Sequence, residues 1–301
     1  MADNAVLVRA LQAQQLPVLE QEPLSRHTTF RIGGPAAVFC LPETPAQLLR
    51  TLELCRQQGV RTYLLGNGSN TLFADAGFDG AVICTVEMKH PVTVTGTRIN
   101  AAAGASLANV CREALHHGLT GLEFAFGIPG TVGGATYMNA GAYGGELKQV
   151  ITRVTFLDED LKARTLPVSE LAMGYRTSRF EQKGGIVLEA EFQLAAGDPA
   201  AIEARMQELM ARRREKQPLE LPSAGSTFKR PQGAFAGALI EQAGLRGFTV
   251  GGAAISTKHC GFVVNLGGAT CADVVRLTDE VARIVYEKTG FRLEREIRVV
   301  Q

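Results

Sequence analysis

The chain has 301 residues, of which 46% are hydrophobic and 20% charged, and a formal net charge of +1. That length suffices for one or two domains with a substantial core, and the even charge balance excludes the concentrated basic surplus of a nucleic-acid binder. No apolar run is long enough to span a bilayer, which argues against a membrane-embedded chain.

The N-terminal stretch Met1 to Leu16 is polar and amphipathic and lacks the apolar core of a signal peptide. Thr44-Pro45 reads as a capping residue followed by proline at the first helical position. Leu48, Leu49, Leu52 and Cys55 then mark one apolar face, and Gly59 ends the helix. Arg61 to Leu65 reads as a buried strand entering a glycine cluster, Gly66-Asn-Gly-Ser-Asn-Thr71. Strands are expected at Ala81–Thr85 and Val92–Thr95, the second bounded by Pro91 and Gly96. Ser106 caps a helix through His117, ended by Gly118.

A second glycine-rich stretch runs from Gly127 through Gly145. The β-branched segments Val150–Phe156 and Ile186–Phe192 read as strands. Ala195-Ala-Gly-Asp-Pro199 is the best boundary signal and opens a long helix to about Lys216. Further on come a helix near Phe235–Ala243, strands near Ala253–Ile255 and Phe262–Leu266, a helix from Cys271 to Lys288 stopped by Gly290, and a last strand, Glu296–Val300.

Clustered glycine costs conformational entropy and needs a reason. Unpaired backbone N–H groups in such loops form concave anion sites that need no cationic side chain. Neither loop contains Lys or Arg, which fits a phosphate-bearing cofactor. The first loop has Thr71 where a dinucleotide signature needs its third glycine, and no P-loop pattern is present, so neither usual nucleotide fold is expected.

Outside the loops, Pro222 to Pro231 brackets Ser223, Ser226, Lys229 and Arg230, a polar segment able to present a hydroxyl and two cations to an anion. Ser226 reads as a proton donor rather than a nucleophile, because no His or Asp is placed for a triad. Tyr175 to Phe180 is polar and basic, and Glu294 to Arg298 alternates in charge like a solvated edge strand. Arg212-Arg213-Arg214 reads as a solvated helix face, and His116, His117 and His259 as structural. The six cysteines show no metal or redox spacing and read as buried hydrophobes in a reducing cytosol.

The ordered set Thr28–Pro35, Leu65–Asn70, Gly127–Gly134, Asn139–Gly144, Tyr175-Arg176, Gly225–Lys229 and Glu296–Arg298 resembles the bacterial UDP-N-acetylenolpyruvylglucosamine reductases (MurB) over nearly the whole chain. The short span from Tyr175 to Ile186 matches the compact subclass, type II. The resemblance implies an α+β protein. A two-part FAD-binding domain of the vanillyl-alcohol-oxidase (PCMH) type is expected over residues 1–196, its subdomain boundary near 85–95. A C-terminal α+β substrate-binding domain is expected over 197–301. It implies that Gly66, Asn67, Gly68, Ser69 and Asn70, with Ile128, Pro129, Gly130, Val132, Gly133, Gly134 and Ala135, wrap FAD, and that Asn139 and Gly141 lie against it.

The implied reaction is the NADPH-dependent, FAD-mediated reduction of UDP-N-acetylglucosamine enolpyruvate to UDP-N-acetylmuramate, in peptidoglycan precursor synthesis. Hydride must reach the terminal CH2 carbon, since the developing charge then falls beside the carboxylate; the enolate needs electrophilic stabilisation and a proton. Arg176 matches the carboxylate-polarising arginine, Ser226 the proton donor and Glu296 the acidic partner, with Tyr175, Lys229 and Arg230 on the substrate. No metal is implied, and a monomeric cytoplasmic bacterial protein is expected. The alternative is another flavin oxidoreductase of the same cofactor fold, acting on an alcohol or hydroxy acid. Many of those tether flavin through His or Cys; neither glycine loop contains either residue, so dissociable FAD is expected.

Overall fold

The computed structural model describes residues 4–88 and 92–301. Pro91, the expected boundary of the strand at Val92, lies outside the described residues, as do Met1 to Asp3 and part of the expected subdomain boundary near 85–95. The chain divides into two compact units, neither of which is one stretch of sequence: Met1–Glu20, Val38–Asn67 and Gly80–Arg213 form the first, and Gln21–Ala37, Gly68–Asp79 and Arg214–Gln301 the second.

The first unit holds two apolar cores. The helix Pro45–Gln57 begins as its sequence dictates: Thr44 Oγ1 accepts from the Gln47 N–H at 3.2 Å, and Leu48, Leu52 and Cys55 are buried. It packs on a helix the sequence did not announce, Asn4–Ala13, which buries Leu7, Val8 and Leu11. Both serve the core that includes Val38, Cys40 and Ile83. The accompanying four-stranded sheet runs, in order, Val18–Pro23, Pro35–Cys40, Phe78–Cys84 and Thr62–Leu65, the last two parallel.

The other core lies on a five-stranded antiparallel sheet ordered Ala163–Pro167, Ile151–Leu157, Ile186–Gln193, Arg98–Ala102, Thr93–Thr95. Strand Ile186–Gln193 carries an extra residue: Thr155 pairs with Glu189 but Phe156 with Val187. That bulge slips the inward phase by one, so Val187, Ala190 and Phe192 enter this core while Ile186 and Leu188 pack on the other. The helix Leu107–His116 is capped by Ser106, whose Oγ accepts from the Asn109 N–H at 3.2 Å.

In the second unit the strands Ser223–Ser226, Phe262–Asn265, Ala253–Ile255 and Thr249–Val250 form an antiparallel sheet in that order. The helices Ala236–Gln242 and Cys271–Thr289 contribute Leu239, Ile240, Val274, Leu277, Val281 and Val285 to its core. The longer helix starts on a capping box, Thr270 with Asp273, and ends at Gly290 with φ +77°. The Asp75 carboxylate adds a second cap, accepting from the Cys271 and Ala272 N–H groups at 2.7 and 3.1 Å. Thr71–Phe73 pairs in parallel with Arg298–Val300, joining distant sequence within this unit.

All six cysteines are buried and reduced. Burial pushes Cys84 and Cys271 up to about 11, and Cys55 and Cys111 up to about 12. The folded chain therefore keeps thiol protons that the unfolded chain sheds above about pH 8.5. Their contribution to stability is complete below that pH and is lost as pH rises toward the folded values. The urea midpoint is expected to fall steadily from pH 8.5 to 11, and a flat profile would contradict the assignment. Among the described residues no group of three or more His, Cys, Asp or Glu side chains is placed to hold a metal, and no helix is long and apolar enough to cross a membrane.

Candidate active site

In the first unit the two glycine loops meet. A Cβ at Gly66 would stand 2.5 Å from Thr131 Oγ1, and Asn67 Nδ2 donates to the Pro129 carbonyl at 3.0 Å. Gly133 is tight to a lesser degree, since a Cβ there would sit 3.0 Å from the Ala103 Cβ. These glycines leave room for the side chains of Thr131 and Ala103 to pack against the loop backbone.

The expectation of unpaired N–H groups in both loops holds only in part. In the second loop most are already used: Ile128 donates to Ala125 O, Val132 to Ala105 O, Gly133 to Ala103 O, and Ala135 to Thr131 O. Gly134 donates to Thr131 Oγ1 at 3.4 Å, and Gly130 turns back on Ile128 O. The short helix Val132–Tyr137 forms here, and its first turn consumes the donors. In the first loop, by contrast, the Gly66 and Asn67 N–H groups meet no acceptor among the described residues.

After this helix the chain is fixed by Asn139, buried and left-handed at φ +42°. Its amide is fully committed: Nδ2 donates to Glu146 Oε2 at 2.8 Å and to Gly174 O at 2.9 Å, while Oδ1 accepts from the Lys148 N–H at 2.9 Å. The bond to Gly174 holds the turn Gly174–Thr177, which carries Tyr175 and Arg176. The buried Ser178 hydroxyl ties the far side of that turn to Tyr137 O at 2.7 Å. Arg176 Nη2 reaches the Gly141 carbonyl at 3.3 Å, its guanidinium lies 5.3 Å from the Tyr175 ring centroid, and its backbone has φ +56°. Asn139→Ala strands the half-buried Gly174 carbonyl and two further partners. It is expected to cost about 2–3 kcal/mol in urea unfolding, whereas a loss below about 0.5 kcal/mol would show that the clamp contributes little.

In the second unit Gly68 has φ +60°, and a Cβ there would collide with the His27 carbonyl. Gly68 O accepts from the Thr29 N–H at 3.3 Å, and Thr29 Oγ1 donates to Ser223 O at 2.7 Å. The Gly68 and Ser69 N–H groups, like those of Gly66 and Asn67, meet no acceptor among the described residues. Asn70 is a backbone splice: its Nδ2 donates to Glu296 O at 3.1 Å and its carbonyl accepts from the Arg298 N–H at 2.9 Å.

Ser226 ends the strand Ser223–Ser226 rather than lying on a loop, and its side chain is exposed. The pairing with Phe262–Asn265 is irregular between Ser223 and Ser226, where Gly225 takes φ +75°. Such a bulge re-aims the next side chain. The buried Thr227 then clamps the segment. Its N–H donates to Gly261 O, its Oγ1 accepts from the Val263 N–H, and its carbonyl accepts from the Glu296 N–H at 2.8 Å. Ser226 and the half-buried Glu296 therefore stand on adjoining, hydrogen-bonded backbones. Lys229 Nζ pairs with Glu294 Oε2 at 3.4 Å, and the Arg230 guanidinium lies 4.4 Å from the Phe235 ring centroid, both on the surface.

His259 is held locally, with Nδ1 facing the Gly261 N–H at 3.1 Å, and burial pushes its pKa down. The arginine run departs from expectation: Arg212 forms a surface pair with Glu208 at 2.5 Å, but Arg213 is half-buried against Gly127. Three features escaped the sequence reading: the Asn139 clamp, the Thr227 hub and the Asn70 splice. Asn139, two residues before Gly141, is their one local signal, as asparagine tolerates left-handed backbone.

Two family models match the chain: an FAD binding domain over residues 35–166, and the UDP-N-acetylenolpyruvoylglucosamine reductase C-terminal domain over 217–300. The UDP-N-acetylenolpyruvoylglucosamine reductase of Limosilactobacillus fermentum is 47% identical over 286 residues, covering 95% of each chain. That of Caldanaerobacter subterraneus is 48% identical over 279 residues, 93% of this chain and 92% of the relative. The crystal structure of the Thermus caldophilus reductase (MurB) superposes with a TM-score of 0.79 at 35% identity, covering 95% of this chain and 99% of that one. A Physcomitrella patens BBE-like protein shares the fold alone, at 17% identity and a TM-score of 0.50 over 63% of this chain and 44% of that one. The chain belongs to the UDP-N-acetylenolpyruvoylglucosamine reductase family.

Proposed function

We propose that the chain reduces UDP-N-acetylglucosamine enolpyruvate to UDP-N-acetylmuramate, with dissociable FAD and NADPH, as a monomeric cytoplasmic protein. The observation that carries this reading is family membership over nearly the whole chain, with Arg176, Ser226 and Glu296 each set by local backbone structure. In functional terms residues 1–196 serve the cofactor and 197–301 the substrate.

The residues present fit the cofactor. Neither glycine loop contains an acidic side chain to repel a pyrophosphate. Gly66 to Ser69 offers unused N–H donors, and main-chain donors of this kind are suited to phosphate oxygens. Asn70, Ile128, Pro129, Gly130, Val132, Gly133, Gly134, Ala135 and Gly141 line the same loops. Because the Asn139 side chain is committed inside the protein, its part is to hold the Gly141 loop and the Arg176 turn. FAD, when bound, supplies the hydride.

The protein's own groups handle charge and proton. Arg176 binds the enolpyruvyl carboxylate and stabilises the charge that develops beside it. Ser226 Oγ gives its proton to the α carbon; a hydroxyl suffices because an enolate is a strong base and the donor is fixed in place. Glu296 acts on the same enolate as the acidic partner. Tyr175, Lys229 and Arg230 hold the substrate, the last two by charge. The direct test is NADPH oxidation dependent on the enolpyruvyl substrate, with the product identified by mass spectrometry as heavier by two hydrogens. NADPH consumption without that product would sink the reading.

A further inference from the structure

Arg213 stands apart from its two neighbours in sequence. Arg212 is neutralised at the surface by Glu208, and Arg214 is exposed. Arg213 is half-buried and makes no hydrogen bond or ion pair with any described residue. Its stem lies on the second glycine loop: a Cβ at Gly127 would stand 3.0 Å from Arg213 Cδ and 3.6 Å from Nη1. The missing side chain at Gly127 thus leaves room for the Arg213 stem beside the loop.

Burial pushes the Arg213 pKa down, and the nearby titratable group that counters this is a phenol, Tyr143, in the hairpin after Asn139. Among the described residues no carboxylate pairs with it. A guanidinium taken from water without a counter-charge is costly, and the cost is recovered when a ligand brings the anion. A planar fork of N–H donors matches phosphate oxygens in pairs. Across this position the loop offers little itself, since its N–H groups are largely spent within the protein.

We infer that Arg213 is an anion-binding residue for the diphosphate of a bound nucleotide, reached beside Gly127. The inference rests on the proposed function, which brings diphosphates from FAD, from the UDP sugar and from NADPH; the shared chemistry is the diphosphate, and the source is for experiment to separate.

The test uses Arg213→Met, which keeps the stem on Gly127 and removes the charge, and Gly127→Ala, which keeps the charge and lifts the stem. Apoprotein is titrated with FAD by flavin fluorescence, and holoprotein with UDP and with NADP+ by perturbation of the flavin spectrum. Affinity for one of these nucleotides is expected to fall about tenfold to a hundredfold in Arg213→Met, with Gly127→Ala shifted in the same direction. Inorganic pyrophosphate should compete with that nucleotide in the unaltered protein and less well in Arg213→Met. A loss confined to FAD assigns the residue to the cofactor, and one confined to UDP or NADP+ assigns it to that ligand. All three affinities within about twofold of the unaltered protein, in a variant with unchanged circular dichroism, would overturn the inference. If Arg213→Met does not fold, Gly127→Ala decides by the same readings. Failure of the unaltered protein to bind FAD would instead strike the proposed function.

Discussion

Ser226→Ala is expected to lower steady-state turnover by about two to four orders of magnitude, the usual worth of a placed proton donor. The rate at which NADPH bleaches the bound flavin should not change. The split follows from position. Ser226 is exposed at a strand end, so removing its oxygen opens no cavity and strands no buried partner. The bulge at Gly225 and the three bonds of Thr227 that aim it remain. Stability should therefore stay within about 0.5 kcal/mol. Unchanged turnover alongside unchanged flavin reduction would remove Ser226 from the mechanism.

Arg176→Gly separates stability from activity more sharply. The turn Gly174–Thr177 places Arg176 at φ +56°, a conformation that glycine adopts at no steric cost and that costs another residue about 1 kcal/mol or more. Locally the arginine makes a 3.3 Å bond to Gly141 O and lies against the exposed Tyr175 ring. The substitution is expected to change unfolding free energy by no more than about 1 kcal/mol in either direction. Turnover should nevertheless fall by about two to three orders of magnitude, the loss seen when one charge-stabilising donor is removed. An inactive variant that is also strongly destabilised would mean that Arg176 holds the turn rather than the substrate.

The long elements could be read from sequence because their ends carry their own chemistry. Thr44 and Ser106 cap where expected, and Gly59, Gly118 and Gly290 all take positive φ at the stops. The short strands Thr71–Phe73 and Arg298–Val300 could not be read as a pair, because three-residue strands owe their existence to a partner far along the chain. The segment around Ser226 looked like a proline-bracketed loop, since a glycine bulge inside a strand has the composition of a turn. Composition also misled in the second glycine loop: it suggested open N–H groups, but the helix Val132–Tyr137 and the backbone at Ala103 and Ala105 use most of them. Arg213 shows the same limit. A run of three arginines late in a helix reads as solvated, and only the packing on Gly127 sets the middle one apart. The residues proposed to bear the chemistry, Arg176, Ser226 and Glu296, rest on motif resemblance, whereas the Asn139, Asn70 and Thr227 contacts that hold their segments required the fold.

Anaerobic stopped-flow spectroscopy tests the central claim most directly. The purified yellow protein is reduced with NADPH and mixed with UDP-N-acetylglucosamine enolpyruvate while the oxidised flavin band is followed. Rapid return of colour without oxygen is the predicted result, because the enol ether accepts the hydride. Colour that returns only when oxygen is admitted would contradict the account and point to an oxidase, and the roles given to Ser226 and Glu296 would fall with it.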